Sequence, residues 1–143
     1  MPYYPIFLDL AGKPVLVVGA GKVALRKTRG LLEAGAAVTV VAPRAEPEFG
    51  QLAVTMRQRA FRPSDIRGAV LVFAATDKRA VNHAVAEAAK RQSIPVNVAD
   101  ARAECSFIVP ARITRRNVQI AISTGGESPR LAGALRRKIE ENL

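Results

Sequence analysis

A short turn constrains this chain more than any other feature. The branched apolar run Val15-Leu-Val-Val18 leads directly into Gly19-Ala-Gly21-Lys-Val-Ala24, and helical periodicity begins at once. A buried strand that reverses into a helix over so few residues needs backbone without side chains at the reversal. Gly19 permits the tight turn, Gly21 lets the backbone approach a pyrophosphate at a helix N-terminus, and Ala24 occupies the third small position of a dinucleotide fingerprint. By itself this pattern is weak; its place between a predicted strand and a predicted helix gives it weight.

The alternation that starts there continues. Ala24, Leu25, Thr28, Leu31 and Leu32 recur at helical spacing, with Gly35 where a C-terminal cap belongs. Val38–Val41 reads as a second buried strand ended by Ala42-Pro43. Residues 54–61 predict a third, with Arg57 and Arg59 wetting one face and so placing it near a sheet edge. Val70–Ala74 is an apolar strand, Val81, Ala84, Val85, Ala88 and Ala89 form a helix face, and Ile94–Val98 supplies a further strand. This βα alternation predicts an α/β fold with a parallel sheet covered by helices on both faces.

After Asp100 the grammar changes. Phe107–Val109 and Val118–Ile122, joined by the basic turn Arg115-Arg116-Asn117, predict an appended β-hairpin. Ser128-Pro129 opens a final helix, with Leu131, Leu135 and Ile139 four residues apart. A parallel sheet is already covered by its own helices, so these appended apolar faces predict a partner surface, most simply a two-fold homodimer.

Composition removes several classes. With 143 residues, 49% hydrophobic and 24% charged, the chain can build a core, which excludes disorder as its main theme. The longest apolar run, residues 68–76, is far short of the roughly 20 residues of a membrane helix. Met1-Pro2-Tyr3-Tyr4 does not begin a secretory leader, so the expected compartment is the cytoplasm, with no membrane partner. One cysteine, Cys105, and one histidine, His83, exclude an internal disulfide and a zinc cluster, and no metal site is predicted. A formal charge of +10 favours an anionic partner. Two tyrosines, five phenylalanines and no tryptophan, without basic-aromatic interleaving, argue against nucleic acid.

Candidate chemistry gathers at predicted strand ends, where open α/β sheets bind ligands. The acid that would grip a ribose 2′-hydroxyl is missing after the second strand; Arg44 stands there instead, and it suits a 2′-phosphate clamp and a solvated surface arginine equally well. Thr76-Asp77 follows the apolar strand, and Asp77 has a strong competing role as a helix cap. Asp100, at the next strand end, could accept a proton or guide a metal ion, or form an Asx turn. His83 reads as a surface or packed residue, and Cys105 as a small buried hydrophobe. Gly125-Gly-Glu-Ser-Pro129 fits an anion cradle and a flexible, capped helix start equally.

Six segments in order carry a resemblance: Gly-Ala-Gly-Lys-Val-Ala-Leu-Arg-Lys at 19–27, Val-Thr-Val-Val-Ala-Pro at 38–43, Ala-Ala-Thr-Asp at 74–77, Asn-Val-Ala-Asp at 97–100, Ser-Phe-Ile-Val-Pro-Ala at 106–111, and Ile-Ala-Ile-Ser-Thr-Gly-Gly-Glu-Ser-Pro at 120–129. Together they resemble the precorrin-2 dehydrogenase and sirohydrochlorin ferrochelatase family, the N-terminal part of sirohaem synthase. Tyr4-Pro-Ile-Phe-Leu-Asp-Leu resembles that family's N-terminal strand. The resemblance implies a Rossmann-like NAD-binding domain over residues 1–104 and a dimerisation region over 105–143. It implies NAD-dependent oxidation of precorrin-2 to sirohydrochlorin, and in many members insertion of ferrous iron. Asp100 matches the family's proposed general base, which also serves chelation. Gly19, Gly21, Lys22, Val23, Ala24, Pro43, Thr76 and Asp77 are the implied cofactor contacts, with NAD favoured over NADP. Ser123, Gly125, Gly126 and Ser128 are the implied substrate contacts, in a loop that family dimerisation brings near the active-site cleft. The tetrapyrrole's carboxylates account for the positive charge. Family members continue into a further helical region that these 143 residues do not contain. The competing reading is an NAD-sensing regulatory module without tetrapyrrole chemistry.

Overall fold

The computed structural model describes residues 3–143; Met1 and Pro2, which open the segment read as lacking a leader, lie outside the described residues. The chain divides into two compact units, one spanning Phe7–Phe107 and the other Ile108–Leu143 with the segment up to Ile6.

The larger unit is a five-stranded parallel sheet. Its strands are β1 (Pro14–Val18), β2 (Ala37–Val41), β3 (Thr55–Arg57), β4 (Leu71–Ala74) and β5 (Val96–Val98), in the order β3-β2-β1-β4-β5. Helix α1 (Lys22–Glu33) crosses from β1 to β2, and α2 (Arg79–Arg91) from β4 to β5. The period-two alternation of β1 sorts the core. Val15 and Val17 pack in the layer that holds Ala24, Leu25 and Leu31 of α1. Leu16 and Val18 pack with Val85, Ala86 and Ala89 of α2. Both faces are thus covered, as the continuous apolar strands require.

Both helices end in the same way. Gly35, at φ +80°, donates to Leu32 O while Ala36 donates to Leu31 O; Ser93, at φ +55°, donates to Lys90 O while Ile94 donates to Ala89 O. These paired bonds are Schellman closures, and the expected cap at Gly35 is present.

The structure departs from expectation at several places. The third strand covers only Thr55–Arg57, on the sheet edge, because the exposed Arg57 and the half-buried Arg59 turn toward Asp65 instead of extending the ladder. The inward stripe of α2 is Asn82, Val85, Ala86, Ala88 and Ala89, with Val81 partly buried beside it; of the predicted face Ala84 alone is exposed, since alanines give too little contrast to set the rotation of a helix. Tyr4–Leu10 forms no strand, and its side chains are exposed as far as Asp9.

In the smaller unit, β6 (Ala111–Arg115) and β7 (Val118–Ile122) form an antiparallel hairpin, and α3 (Pro129–Glu140) follows. The first hairpin strand was expected at Phe107–Val109. Phe107 instead sets its ring edge-on against Phe73 of β4, with centroids 5.5 Å apart, and Pro110, which lacks an N–H, precedes the ladder. Arg116 turns the hairpin at φ +55°. Ser128 caps α3 by accepting from Leu131 N, with Pro129 in the first turn, as the sequence predicts. Of this unit's described hydrophobic residues only Ile113 and Ala132 are buried. No helix among the described residues is long and apolar enough to cross a membrane.

Candidate active site at the strand ends

The predicted residues of the larger unit come together because β2, β1, β4 and β5 are neighbours and run the same way. Hydrogen bonds continue past the strands: Gly19 N donates to Val41 O at 2.9 Å, Ala75 N to Val18 O at 2.8 Å, and Ala99 N to Ala74 O at 2.9 Å. These bonds align the Gly19–Gly21 turn, Ala42-Pro43, Thr76-Asp77 and Asp100 along one edge of the sheet.

Gly19 and Gly21 are glycines for different reasons. Gly19 sits at φ +115°, and a Cβ there would fall on the Ala75 carbonyl, 2.7 Å from its carbon. Gly21 has an ordinary φ of −86° and open space where a Cβ would stand. It is the N-cap of α1, with no side-chain cap bond and no acid in the first turn. The N–H groups of that turn, from Lys22, Val23 and Ala24, have no partners within the helix, and the turn carries partial positive charge. Such an open backbone cradle fits a pyrophosphate. Lys22, Val23 and Pro43 are exposed beside it, and Ala24 is buried against the sheet.

Beyond β4 lies a network whose hub the sequence reading passed over. Asn82 of α2 is fully buried. Its Oδ1 accepts from Thr76 N at 3.0 Å and from Thr76 Oγ1 at 2.7 Å. Its Nδ2 donates to Thr76 O at 3.1 Å and to Asp100 Oδ1 at 3.0 Å. Arg79 donates to the same Asp100 oxygen at 2.7 Å and to Glu104 Oε1 at 2.5 Å. The signal was present: an amide on the Val85-Ala86-Ala89 stripe is a buried polar group that needs partners. Asp77 is exposed, and α2 has no side-chain cap bond, so Asp77 does not take the capping role anticipated for it. Thr76 Oγ1 does accept from Lys78 N. Asp100 precedes a short 3-10 turn, Arg102–Glu104.

Lys27 of α1 is a second residue missed in sequence. Its Nζ donates to Asn97 Oδ1 at 3.3 Å and lies 5.8 Å from the Phe73 ring centroid. Burial holds its pKa below the ordinary lysine value, and Arg26 adds to the lowering. Asn97 Nδ2 in turn donates to Phe107 O. His83 is exposed, 3.3 Å from Glu104. Cys105 is half-buried, its Sγ accepting from Val98 N. Neither joins the strand-end cluster as a reactive group, and no group of three or more metal-ligating side chains occurs among the described residues.

In the smaller unit, Ser123, Gly125, Gly126 and Ser128 shape the loop between β7 and α3. Gly125 and Gly126 adopt φ +69° and +81°. Gly125 N donates to Ser123 Oγ, Ser128 N to Thr124 Oγ1, and Leu131 N to Ser128 Oγ. Ser123 and Gly126 line a cavity of about 220 Å³ together with Ile108, Val109, Ile122 and Pro129. The capped helix start is thus visible, with three amides occupied by the loop's own hydroxyls.

The chain is similar to several known proteins. Residues 6–111 match a family described as putative NAD(P)-binding, and residues 115–142 match the sirohaem biosynthesis protein central family. The chain is 53% identical to a sirohaem synthase of Methylococcus capsulatus and 46% identical to one of Ectopseudomonas mendocina, in each case over 98% of its own length. It spans 30% and 31% of those relatives. Among solved structures, a precorrin-2 dehydrogenase, SirC, matches with a TM-score of 0.84 and 32% identity, over 99% of this chain and 71% of that one. An Escherichia coli D-lactate dehydrogenase, 19% identical with a TM-score of 0.54, shares the fold alone. With its glycine cradle, its sheet order and these matches, the chain belongs to the precorrin-2 dehydrogenase family of NAD(P)-binding proteins.

Proposed function

We propose that this chain oxidises precorrin-2 to sirohydrochlorin, using NAD. The observation that carries this reading is a carboxylate, Asp100, held at the end of β5 on the same sheet edge as the Gly19–Gly21 cradle. NAD, when bound, supplies the acceptor for the hydride that leaves the substrate. The first-turn amides of α1 would hold the pyrophosphate, with the open space at Gly21 admitting it, and Pro43, Thr76 and Asp77, on the same sheet edge, would complete the cofactor contacts. Asp100 receives the proton released as the carbon skeleton loses two electrons. The positive charge of the chain favours approach of a polycarboxylate tetrapyrrole, and the Ser123–Ser128 loop is our candidate for contacting it. Arg44 is exposed, and NAD rather than NADP is the reading we adopt.

Ferrous iron as a second substrate, a homodimer and a cytoplasmic setting belong to the same proposal. For the dimer the support is the exposure of Leu131, Leu135, Val109 and Val118 in the smaller unit.

The test is an anaerobic assay of NADH formation with precorrin-2. Asp100→Asn, nearly isosteric, is expected to bind NAD as before and to lose about 100-fold to 10,000-fold in turnover, the usual cost of a lost general base. Wild-type turnover in that variant removes Asp100 from the mechanism. NAD binding without turnover in the unsubstituted protein supports a nucleotide-sensing module instead.

A further inference from the structure

Two side chains converge on one oxygen of Asp100, and neither is a candidate contact for cofactor or substrate. Asn82 Nδ2 and Arg79 both donate to Asp100 Oδ1, at 3.0 and 2.7 Å. They differ in setting. Asn82 is fully buried, whereas the Arg79 side chain is 46% exposed and also grips Glu104. No described group donates to Asp100 Oδ2.

Asn82 is fixed by more than Asp100. Its Oδ1 takes two donors from Thr76, the backbone N–H and the hydroxyl, so the amide has one orientation only: oxygen toward Thr76, nitrogen toward Asp100. A flipped amide would set its nitrogen against the Thr76 N–H and leave a buried donor unsatisfied. The end of β4 therefore determines where Asn82 Nδ2 points, and Asn82 Nδ2 determines where the Asp100 carboxylate sits. Arg79 closes the clamp from the surface.

We infer that Asn82 and Arg79 are positioning residues for dehydrogenation, holding one carboxylate oxygen of Asp100 so that the other is presented for proton transfer. The inference rests on Asp100 being the base. A carboxylate on a strand-end loop has rotational freedom, and a misplacement of about 1 Å at a reacting group can cost 100-fold in rate. Two donors on one oxygen remove that freedom without consuming the second oxygen.

The discriminating variant is Asn82→Asp in the full-length protein. It keeps an acceptor for Thr76 but replaces the donor facing Asp100 by a like charge. The expected result is a kcat lowered about 10-fold to 100-fold, with the KM for NAD within about twofold of the unsubstituted enzyme. In an Asp100→Asn background the same substitution should have no further effect on kcat, because residues acting as one unit are not additive. A purely structural role for Asn82 would instead lower kcat and NAD affinity together and persist in that background. If Asn82→Asp does not fold, Arg79→Met, at a half-exposed site, carries the test, with a threefold to tenfold lower kcat expected and the same non-additivity. Unchanged kcat in the folded Asn82→Asp variant, or in Arg79→Met where only that variant folds, overturns the inference while the loss in Asp100→Asn leaves the base in place. Wild-type turnover in Asp100→Asn overturns both.

Discussion

The two units of this chain are held together in different ways. In Phe7–Phe107 the inner strands β1 and β4 are apolar on both faces, and residues such as Val17, Val40, Val72 and Val96 lose essentially all contact with water. In the unit built on β6, β7 and α3, burial is concentrated on Ile113 and Ala132, while Leu131 and Leu135 keep 50% and 39% of their surface exposed. Apolar surface removed from water contributes about 25 cal/mol per Å². The parallel sheet therefore carries its stability within itself, and the hairpin and helix leave more of their apolar area exposed. The lesson is that a shared chain does not imply a shared source of stability.

Five substitutions break or sharpen this contrast. The largest effect is expected at Gly19→Ala, which combines a left-handed backbone with a methyl group placed on the Ala75 carbonyl. Strain of about 1–3 kcal/mol and overpacking of similar size should together unfold much of the protein at 37 °C; thermal melts would read this directly. Leu16→Ala, at a side chain only 2% exposed, should cost about 2–5 kcal/mol in chemical denaturation, at any protein concentration. Leu135→Glu should behave in the opposite way. Its effect should appear as dissociation in sedimentation at micromolar concentration, and the melting temperature of the unsubstituted protein should rise with concentration. Sedimentation of that protein as a monomer of 15.3 kDa would leave the exposed face without the partner we assign to it.

The fourth expectation concerns acid. Asp65 is buried, with its side chain 2% exposed, and the Arg59 guanidinium holds its pKa below the ordinary carboxylate value despite the opposing effect of burial. A depressed native value means that this carboxylate stabilises the fold above the ordinary carboxylate range and loses that contribution as pH falls through the lowered value. Asp65→Asn should flatten the acid limb of the stability curve, and an unchanged limb would show that other groups govern it. The smallest effect is expected at Ser93→Gly. This position closes α2 in the left-handed conformation that glycine closes for α1, and relief of that strain should stabilise by about 0.5–1 kcal/mol. The contrasting closure at Gly35 supplies the internal control.

The sequence made some of this architecture legible and hid the rest for identifiable reasons. The β1-α1-β2 passage could be read almost residue by residue, since the strand period, the glycine turn and the Gly35 cap all agree. The α2 face could not: with alanines at 84, 86, 88 and 89, a rotation of the stripe changes the pattern very little, and Asn82 disappeared on what looked like a polar side. β6 was misplaced because Ala-Arg-Ile-Thr-Arg offers one inward apolar residue, whereas Phe-Ile-Val just before it looks more like a strand. Asp100 and the cofactor turn were identified as candidates from their strand-end positions. The side chains that hold Asp100 were not, because hydrogen bonds across 18 and 21 residues leave no local period.

The amide of Asn82 has a consequence for how this protein can change length over evolutionary time. By bonding Thr76 at its backbone N–H, carbonyl and hydroxyl, it measures the connection between β4 and α2 like a gauge block. One residue inserted or deleted between Ala75 and Lys78 would leave a buried amide facing the wrong atoms and would move Asp100 as well. The stretch from Pro43 to Val54 is tied by Glu46 N donating to Ala20 O and by Phe49 as its buried anchor, but no buried side-chain amide spans it and most of it lies at the surface. Indels among descendants of this chain should therefore accumulate after β2 and be absent after β4.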